Sequence, residues 1–359
     1  MILLYMLACA SNTEKIDTAV EEHEDTASTN TNPGTDTGVS ESGNDTGNTT
    51  QPSSDPVESS YLDEDCLDGQ YSESLPIPNA DIQPYINTYD PNNHIGFIYD
   101  VLEARYPIGA YILDGGLTSE GPFSGNCVDL FLHNKSTPSA VIDSMTTLVH
   151  ECGHFFDINT GGWGESVYII TDELMFTCQD GSIEEYGGKT FARSMINNDE
   201  FAELHPPCAH FTDQGCDSYA AIYLNGDPNN SDFESGDQGF DSLHEETVQY
   251  VNSIATAYAL EDQYSYSSSQ RDGILTFLWY TMRYLRMARL EHPQAYSLIS
   301  ENSCWREAIL TVWGRAWLYL ELSKNSSTLG INDDFLETLV NDPILLEEIQ
   351  RLRDLQGCP

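Results

Sequence analysis

Positive charge is scarce in this chain. Its 359 residues include 14 lysines and arginines against 58 aspartates and glutamates, which gives a formal net charge of −44. Such an acidic surface repels nucleic-acid phosphates and anionic lipid headgroups, so we expect neither as a partner. The same charge would suit a basic or unfolded polypeptide substrate, or it would serve solubility alone.

The sequence also lacks a long apolar run. No segment approaches the roughly 18 uncharged apolar residues of a membrane-spanning helix, so we expect membrane contact only through an N-terminal lipid anchor. Residues 1–10, MILLYMLACA, resemble a bacterial lipoprotein signal in which Cys9 would be lipidated. The alternative is an ordinary export signal. Either predicts an exported protein, held at the outer membrane or cell surface or secreted.

Large apolar side chains are few in residues 11–60, where the units DTA, DTG and NDTG recur. This composition cannot bury a core and predicts a disordered tether. We expect the folded body in residues 61–359, with a mixed α/β lobe at about 61–240 and a helical lobe at about 241–359. Strands are predicted at GAYILDGG and NCVDLFLHN, and helices at ILTFLWYTMRYLRMARLEHP, CWREAILTVWGRAWLYLEL and DPILLEEIQRLRDLQG.

A HExxH motif stands in the run TTLVHECGHFFD, with His150, Glu151 and His154. Thr137 and Pro138 upstream are typical of a helix start, and glycines follow the motif at 161 and 162. Histidines four positions apart on a helix project from one face and can hold zinc. Glu151 would then be the general base that takes a proton from zinc-bound water.

HECGHFFD resembles the zincin metallopeptidases, in particular the gluzincins, in which a glutamate on a later helix is the third metal ligand. The resemblance implies peptide-bond hydrolysis and an α+β fold, with a small mixed sheet over the active-site helix. NCVDLFLHN precedes the motif where the resemblance places a substrate-binding edge strand. Asp157 falls where several zincins have an acidic residue that orients a ligand imidazole by accepting its other ring N–H, and a solvent-exposed aspartate at the helix C-terminus is the alternative.

A catalytic zinc site has three protein ligands and one open position, so one donor must come from elsewhere in the chain. FFDINTGGW after the motif lacks the third histidine of the metzincins, and SLHEETVQYVNSIATAYAL predicts a later helix. Glu245 lies close to the flank of the apolar face of this helix and is the preferred ligand. Glu246, nearly opposite that face, and His244, at its centre, are the alternatives. Carboxylates in a first turn also favour the helix dipole without any metal.

Two further kinds of site are open. A donor is needed for the transition-state oxyanion, and Tyr250, Tyr219, Tyr223 and His210 are candidates. The acidic run NGDPNNSDFESGDQGFD at 225–241 would bind calcium through oxygen ligands, or form a solvated loop, because it lacks EF-hand spacing.

The cysteines favour export. With Cys9 lipidated, eight of the nine remain, which suits up to four disulfides. Cys208 and Cys216 are near enough to bridge a short loop. Cys152 points from the motif toward the core, either as a buried thiol or bonded to the long insertion between the motif and the later helix. The arginines at 283, 286 and 289 form a helical stripe, for which internal ion pairs are favoured over binding of a substrate carboxylate.

These observations predict an exported zinc metallopeptidase with His150, His154 and Glu245 as ligands. The alternatives are a non-catalytic surface lipoprotein with a structural or degenerate zinc site, and a zinc amidase acting on the cell wall. The presence of Glu151 favours an enzyme, since a structural zinc site needs no base.

Overall fold

A computed structural model describes residues 59–162, 165–179, 190–210, 213–226 and 238–358. The signal segment, nearly all of the tether and most of the loop considered for calcium lie outside these residues. Lipidation of Cys9 and calcium binding therefore stay predictions.

Helices form most of the described chain. The first half contains α1 (Gln83–Asn87), α2 (His94–Arg105), α3 (Pro107–Thr118), α4 (Cys127–Phe131) and the motif helix α5 (Pro138–Gly161), with a 3₁₀ turn at Pro91–Asn93. The second half contains α6 (Glu200–Leu204), α7 (Ala220–Tyr223), α8 (Phe240–Leu260), α9 (Gln270–Glu291), α10 (Pro293–Ser300), α11 (Ser303–Leu322), α12 (Asp333–Val340) and α13 (Pro343–Gln356), with 3₁₀ turns at Arg193–Asn198 and Glu261–Gln263.

The described residues contain one sheet, a two-stranded antiparallel hairpin that follows α5. Strand β1 (Glu165–Ile169) pairs with β2 (Met175–Gln179), with Glu165 opposite Gln179 and Ile169 opposite Met175. The expected α+β class is therefore corrected to a mostly helical fold with one small sheet.

The strand predicted at GAYILDGG is wrong, because this segment lies in α3. Pro107 starts the helix, and the glycines serve helix packing and not a turn. A Cβ at Gly115 would collide with the Phe156 ring, and one at Gly116 with the backbone oxygen of Cys152. Glycine thus lets α3 cross closely over α5.

The strand predicted at NCVDLFLHN is also wrong. Its first residues form α4, whose N-terminus is capped by the Asn126 side chain accepting a hydrogen bond from the Asp129 amide. A disulfide joins Cys127 in α4 to Cys152 in α5. The segment before the motif is therefore a short helix that a disulfide links to α5, and not the edge strand that the zincin resemblance implies.

The motif helix begins and ends where the sequence predicts. The Thr137 hydroxyl accepts a hydrogen bond from the Ala140 amide, Pro138 occupies the first turn, and the helix ends at Gly161. Gly162 follows with φ +66°, in the region that glycine favours. Residues 148–155 of this helix are all buried, so the motif lies within the core.

The helices predicted in the second half are confirmed as α9, α11 and α13, and the helix predicted around SLHEETV as α8. One hydrophobic core contains residues from Cys66 to Leu352. The arginine stripe on α9 makes internal ion pairs, as favoured from the sequence: Arg283 with Asp199 at 2.8 Å, Arg286 with Glu200 at 2.9 Å and Arg289 with Glu348 at 2.6 Å.

All eight cysteines of the described residues form disulfides. Cys208–Cys216 is confirmed, and Cys66–Cys358, Cys127–Cys152 and Cys178–Cys304 complete the set. Four disulfides indicate an oxidising compartment. Within the part of the chain that the structure describes, no helix combines the length and the apolar character that membrane crossing requires.

The first described residues pack on the last helices. The Tyr61 ring stacks on Trp317 with centroids 3.8 Å apart, and its carbonyl accepts hydrogen bonds from Trp313 and Arg353. Together with the Cys66–Cys358 disulfide, these contacts hold the first described residues against α11 and α13.

Candidate metal centre

The two motif histidines face one another from successive turns of α5. Their Nε2 atoms are 3.1 Å apart, and the residues are 5% and 1% exposed for His150 and His154. Two ring nitrogens at this distance cannot both carry a proton pointing at the other. Their geometry is that of donors converging on a shared cation.

Glu246 of α8 supplies the third candidate ligand atom for a metal. Its Oε2 lies 3.4 Å from His150 Nε2 and 3.7 Å from His154 Nε2. Tetrahedral zinc with bonds of about 2.0–2.1 Å would hold its donors about 3.3 Å apart. The buried triad of His150, His154 and Glu246 therefore fits a zinc ion, and it is the one group in the described residues with donor atoms placed for a metal.

Glu245, the ligand preferred from the sequence, lies on the other side of His154. Its Oε1 accepts a hydrogen bond from His154 Nδ1 at 2.7 Å, which leaves Nε2 directed at the triad. Carboxylates in this position fix the tautomer and the ring orientation of a ligand histidine. The structure thus places Glu246 in the triad and Glu245 behind it.

Proximity to the apolar face of α8 predicts Glu245 as the ligand only if that face leads to the site. Helix α8 is buried on nearly all sides, and its polar side, which includes Glu245, Gln249 and Ser253, faces α5. The direction of the site therefore could not be inferred from the apolar face.

His244, the other alternative, is absent from the triad. It lies among the rings of Tyr168, Phe240 and Trp305, with centroids 4.8, 6.0 and 6.2 Å away. Burial in this aromatic cluster lowers the pKa of His244 to about 3, so the ring is neutral.

The remaining ring nitrogen of His150 is also held. Its Nδ1 lies 3.1 Å from the hydroxyl of Ser253, one turn beyond Gln249 on α8. Asp157, expected to orient a histidine, instead accepts hydrogen bonds from the Ile169 amide at 3.0 Å and from Gln249 at 2.9 Å. No hydrogen bond between Asp157 and His154 is found among the described residues, and Glu245 lies between the two side chains as a shared partner.

Glu151 is 1% exposed, and neither of its carboxylate oxygens has a hydrogen-bond partner among the described residues. Burial raises the pKa of Glu151 to about 8, with His154 lowering it and Glu246 raising it. An ionisable group held near neutrality without a structural partner is typical of a catalytic site.

The charges of the triad are mutually dependent. Burial raises the pKa of Glu246, but His154 and His150 outweigh this and hold it well below its usual range. Burial lowers the pKa of His154, but Glu246 and Glu245 raise it well above its usual range. The Glu246 carboxylate is thus an anion in a buried place, and in the metal-free protein the protonated His154 ring is the cation beside it.

No family model, curated protein or solved structure matches this chain. The geometry of the site therefore carries the functional argument alone.

Among the tyrosines considered as donors to the oxyanion, Tyr250 is the one whose ring contacts a histidine of the triad. Its ring meets His150 edge-on with centroids 5.0 Å apart, and its hydroxyl is 2.7 Å from that of Tyr223. The Tyr219 hydroxyl donates to Ser269 instead, and His210 is exposed.

Sequence reasoning missed the roles of Gln249, Asn252 and Ser253. A signal was present: these polar residues lie four, seven and eight positions after Glu245, on one side of a helix that is otherwise largely apolar. Polar side chains at helical spacing within a buried helix indicate a polar network and not a solvated face.

Proposed function

We propose that the protein is an exported zinc hydrolase of peptide bonds, with zinc on His150, His154 and Glu246. The observation that carries the proposal is Glu151, a buried carboxylate that has no hydrogen-bond partner among the described residues and lies beside three convergent metal-ligand atoms. A structural zinc site commonly closes its fourth position with a cysteine or histidine. The cysteine of the motif, Cys152, is bonded to Cys127 and cannot do so.

Bound zinc would supply a Lewis acid that lowers the pKa of water and polarises the substrate carbonyl. Glu151 would take the proton of the attacking water and return it to the leaving amine. Burial raises the pKa of Glu151 above its usual range, which strengthens the carboxylate as a base and helps it to hold the proton between the two transfers. Glu245 and Ser253 would keep the two histidine rings in place.

A second candidate is a structural zinc site in a non-catalytic surface protein. The burial of the site favours it, since Glu151, His154 and Glu246 are each at most 1% exposed. In an enzyme, substrate would have to approach from the side of His150 and Glu245, which are 5% and 8% exposed.

The test combines zinc content with cleavage of an unfolded basic protein by the wild type and Glu151→Gln. We expect zinc in both proteins and a loss of cleavage of about 10²–10⁴-fold in the variant, which is the usual contribution of a general base. Glu173→Gln, the same substitution at an exposed position of the hairpin loop, is the matched control and should retain activity.

The outcomes separate the candidates. Equal cleavage by both proteins would refute Glu151 as the base, and a wild type without zinc would refute the site. Bound zinc without cleavage of any polypeptide supports the structural site, unless isolated cell wall is hydrolysed, which identifies an amidase.

A further inference from the structure

A row of buried polar side chains leads from the metal site across the core to α11. It consists of Glu245, Gln249 and Asn252 on α8 and Arg315 on α11. Glu245 is 8% exposed and the other three residues have no exposed surface. Burying so many polar groups is unfavourable unless each finds a partner, so their hydrogen bonds specify one arrangement.

Hydrogen bonds connect these side chains without a gap. Gln249 Nε2 donates to Asp157 at 2.9 Å and to Glu245 at 3.3 Å, while its Oε1 accepts from Asn252 Nδ2 at 2.8 Å. Asn252 Oδ1 in turn accepts from Arg315 Nη1 at 2.7 Å.

Arg315 determines which way each hydrogen bond in this row points, from donor to acceptor. A guanidinium has donors only and stays protonated, so Asn252 must turn its oxygen toward Arg315 and its NH₂ group toward Gln249. Gln249 must then turn its oxygen toward Asn252 and its NH₂ group toward the two carboxylates. Neither amide can flip without breaking a buried hydrogen bond.

Arg315 itself is fixed on its other sides. Its Nε donates to Glu73 at 2.7 Å and its Nη2 to the Tyr106 hydroxyl at 2.8 Å. The cation that sets the direction is therefore held by residues from the first part of the body, far in sequence from α8.

Gly153, the glycine of the motif, independently supports a fixed position for the Gln249 amide. A Cβ at Gly153 would collide with the amide oxygen of Gln249. Glycine between the ligand histidines thus leaves room for the Gln249 amide against α5.

We propose that Arg315 is a positioning residue of the metal site, which acts through Asn252 and Gln249 on Glu245 and so on His154. The inference rests on the proposed function only in assuming that the triad binds zinc. Glu245 Oε1 accepts from His154 Nδ1 and from Gln249 Nε2, and the direction in which Gln249 presents its donors depends on Arg315.

The test is the zinc dissociation constant of Asn252→Asp, measured by competition with a chromophoric chelator. The carboxylate that this substitution introduces still accepts from Arg315 but no longer donates to Gln249, whose amide then turns its oxygen toward Glu245. We expect zinc binding to weaken about 10–100-fold, as for other outer partners of metal ligands. Asn302→Asp is the matched control, because Asn302 caps α11 and only accepts, from the Cys304 amide.

The sign of the effect separates orientation from charge. An added negative charge acting through space would tighten zinc binding, so tighter or unchanged binding in Asn252→Asp overturns the proposal. A wild type that binds no zinc refutes the site itself, which is a different result from zinc bound equally by both proteins.

A double-mutant cycle shows whether the effect passes through Glu245. In a Glu245→Gln background, Asn252→Asp should change zinc affinity little, whereas a general loosening of the fold would add to the first effect. If Asn252→Asp does not fold, Gln249→Met removes the same connection without a charge, and undiminished zinc affinity in that variant overturns the proposal.

Discussion

At the scale of single residues, two adjacent carboxylates have different positions at the site. Glu245 and Glu246 are one residue apart on α8, which turns their side chains by about 100°. Glu245 accepts a hydrogen bond from Nδ1 of His154, whereas Glu246 lies beside the Nε2 atoms that face the triad. Chemistry alone could not have distinguished them, because both are glutamates in the first turns of the same helix.

This difference predicts an order of effects on zinc affinity. Glu245→Gln should weaken zinc binding about 10–100-fold, because an orienting partner is lost while the ligands remain. Glu246→Gln should weaken it more, because the triad loses its only anion. Titration of the apoproteins with zinc against a chelator measures both. The reverse order would make Glu245 the ligand and Glu246 the outer partner.

At the scale of elements, sequence periodicity predicted the long helices and failed for the short apolar segments. The limits of α5, its Thr137 cap and the helices of the second half follow from caps and from apolar spacing, which act locally. GAYILDGG and NCVDLFLHN were wrongly predicted as strands because a short apolar run does not distinguish a strand from a buried helix. What decides them is packing against α5, which is a tertiary property.

The close crossing of α3 over α5 predicts that Gly116→Ala destabilises the protein. Its Cβ would meet the Cys152 backbone, which cannot move without shifting the motif, so we expect a loss of about 1–3 kcal/mol in the free energy of unfolding. Urea denaturation measures it.

Gly96→Ala in α2 is the matched control, because its Cβ meets only the side chain of Asn93. This variant should be neutral or more stable by up to about 1 kcal/mol, since alanine is the better helix former. Equal stability of the two variants would show that α3 and α5 are not constrained by contact at Gly116.

At the scale of the whole molecule, the metal site joins parts of the chain that no local pattern connects. The ligands come from α5 and α8, and the polar row continues to α11 and to Glu73. The sequence was sufficient for the motif and the oxidising compartment, since both depend on residue type and short spacing. The pairing of Cys66 with Cys358 and the contact of Arg315 with Asn252 depend on the complete fold.

The disulfides differ in what they contribute to stability. Cys66–Cys358 spans 292 positions and Cys208–Cys216 spans 8. Because a longer closed loop removes more entropy from the unfolded chain, replacing the first pair by alanine should cost about 5–6 kcal/mol and the second about 2–3 kcal/mol. Urea denaturation of the two double variants compares them. A larger loss for the short loop would show that native contacts around Cys208 and Cys216 dominate over chain entropy.

The bond between Cys66 and Cys358 also determines how the body responds to mechanical force. A pull applied to the residues that precede Cys66 first loads the contacts of Tyr61 with Trp313 and Trp317, and then reaches the covalent bond to Cys358, just after α13. When the opposing force acts after Cys358, the load bypasses the chain between the two cysteines, which are 292 positions apart, and the helices that carry the metal site lie outside its path.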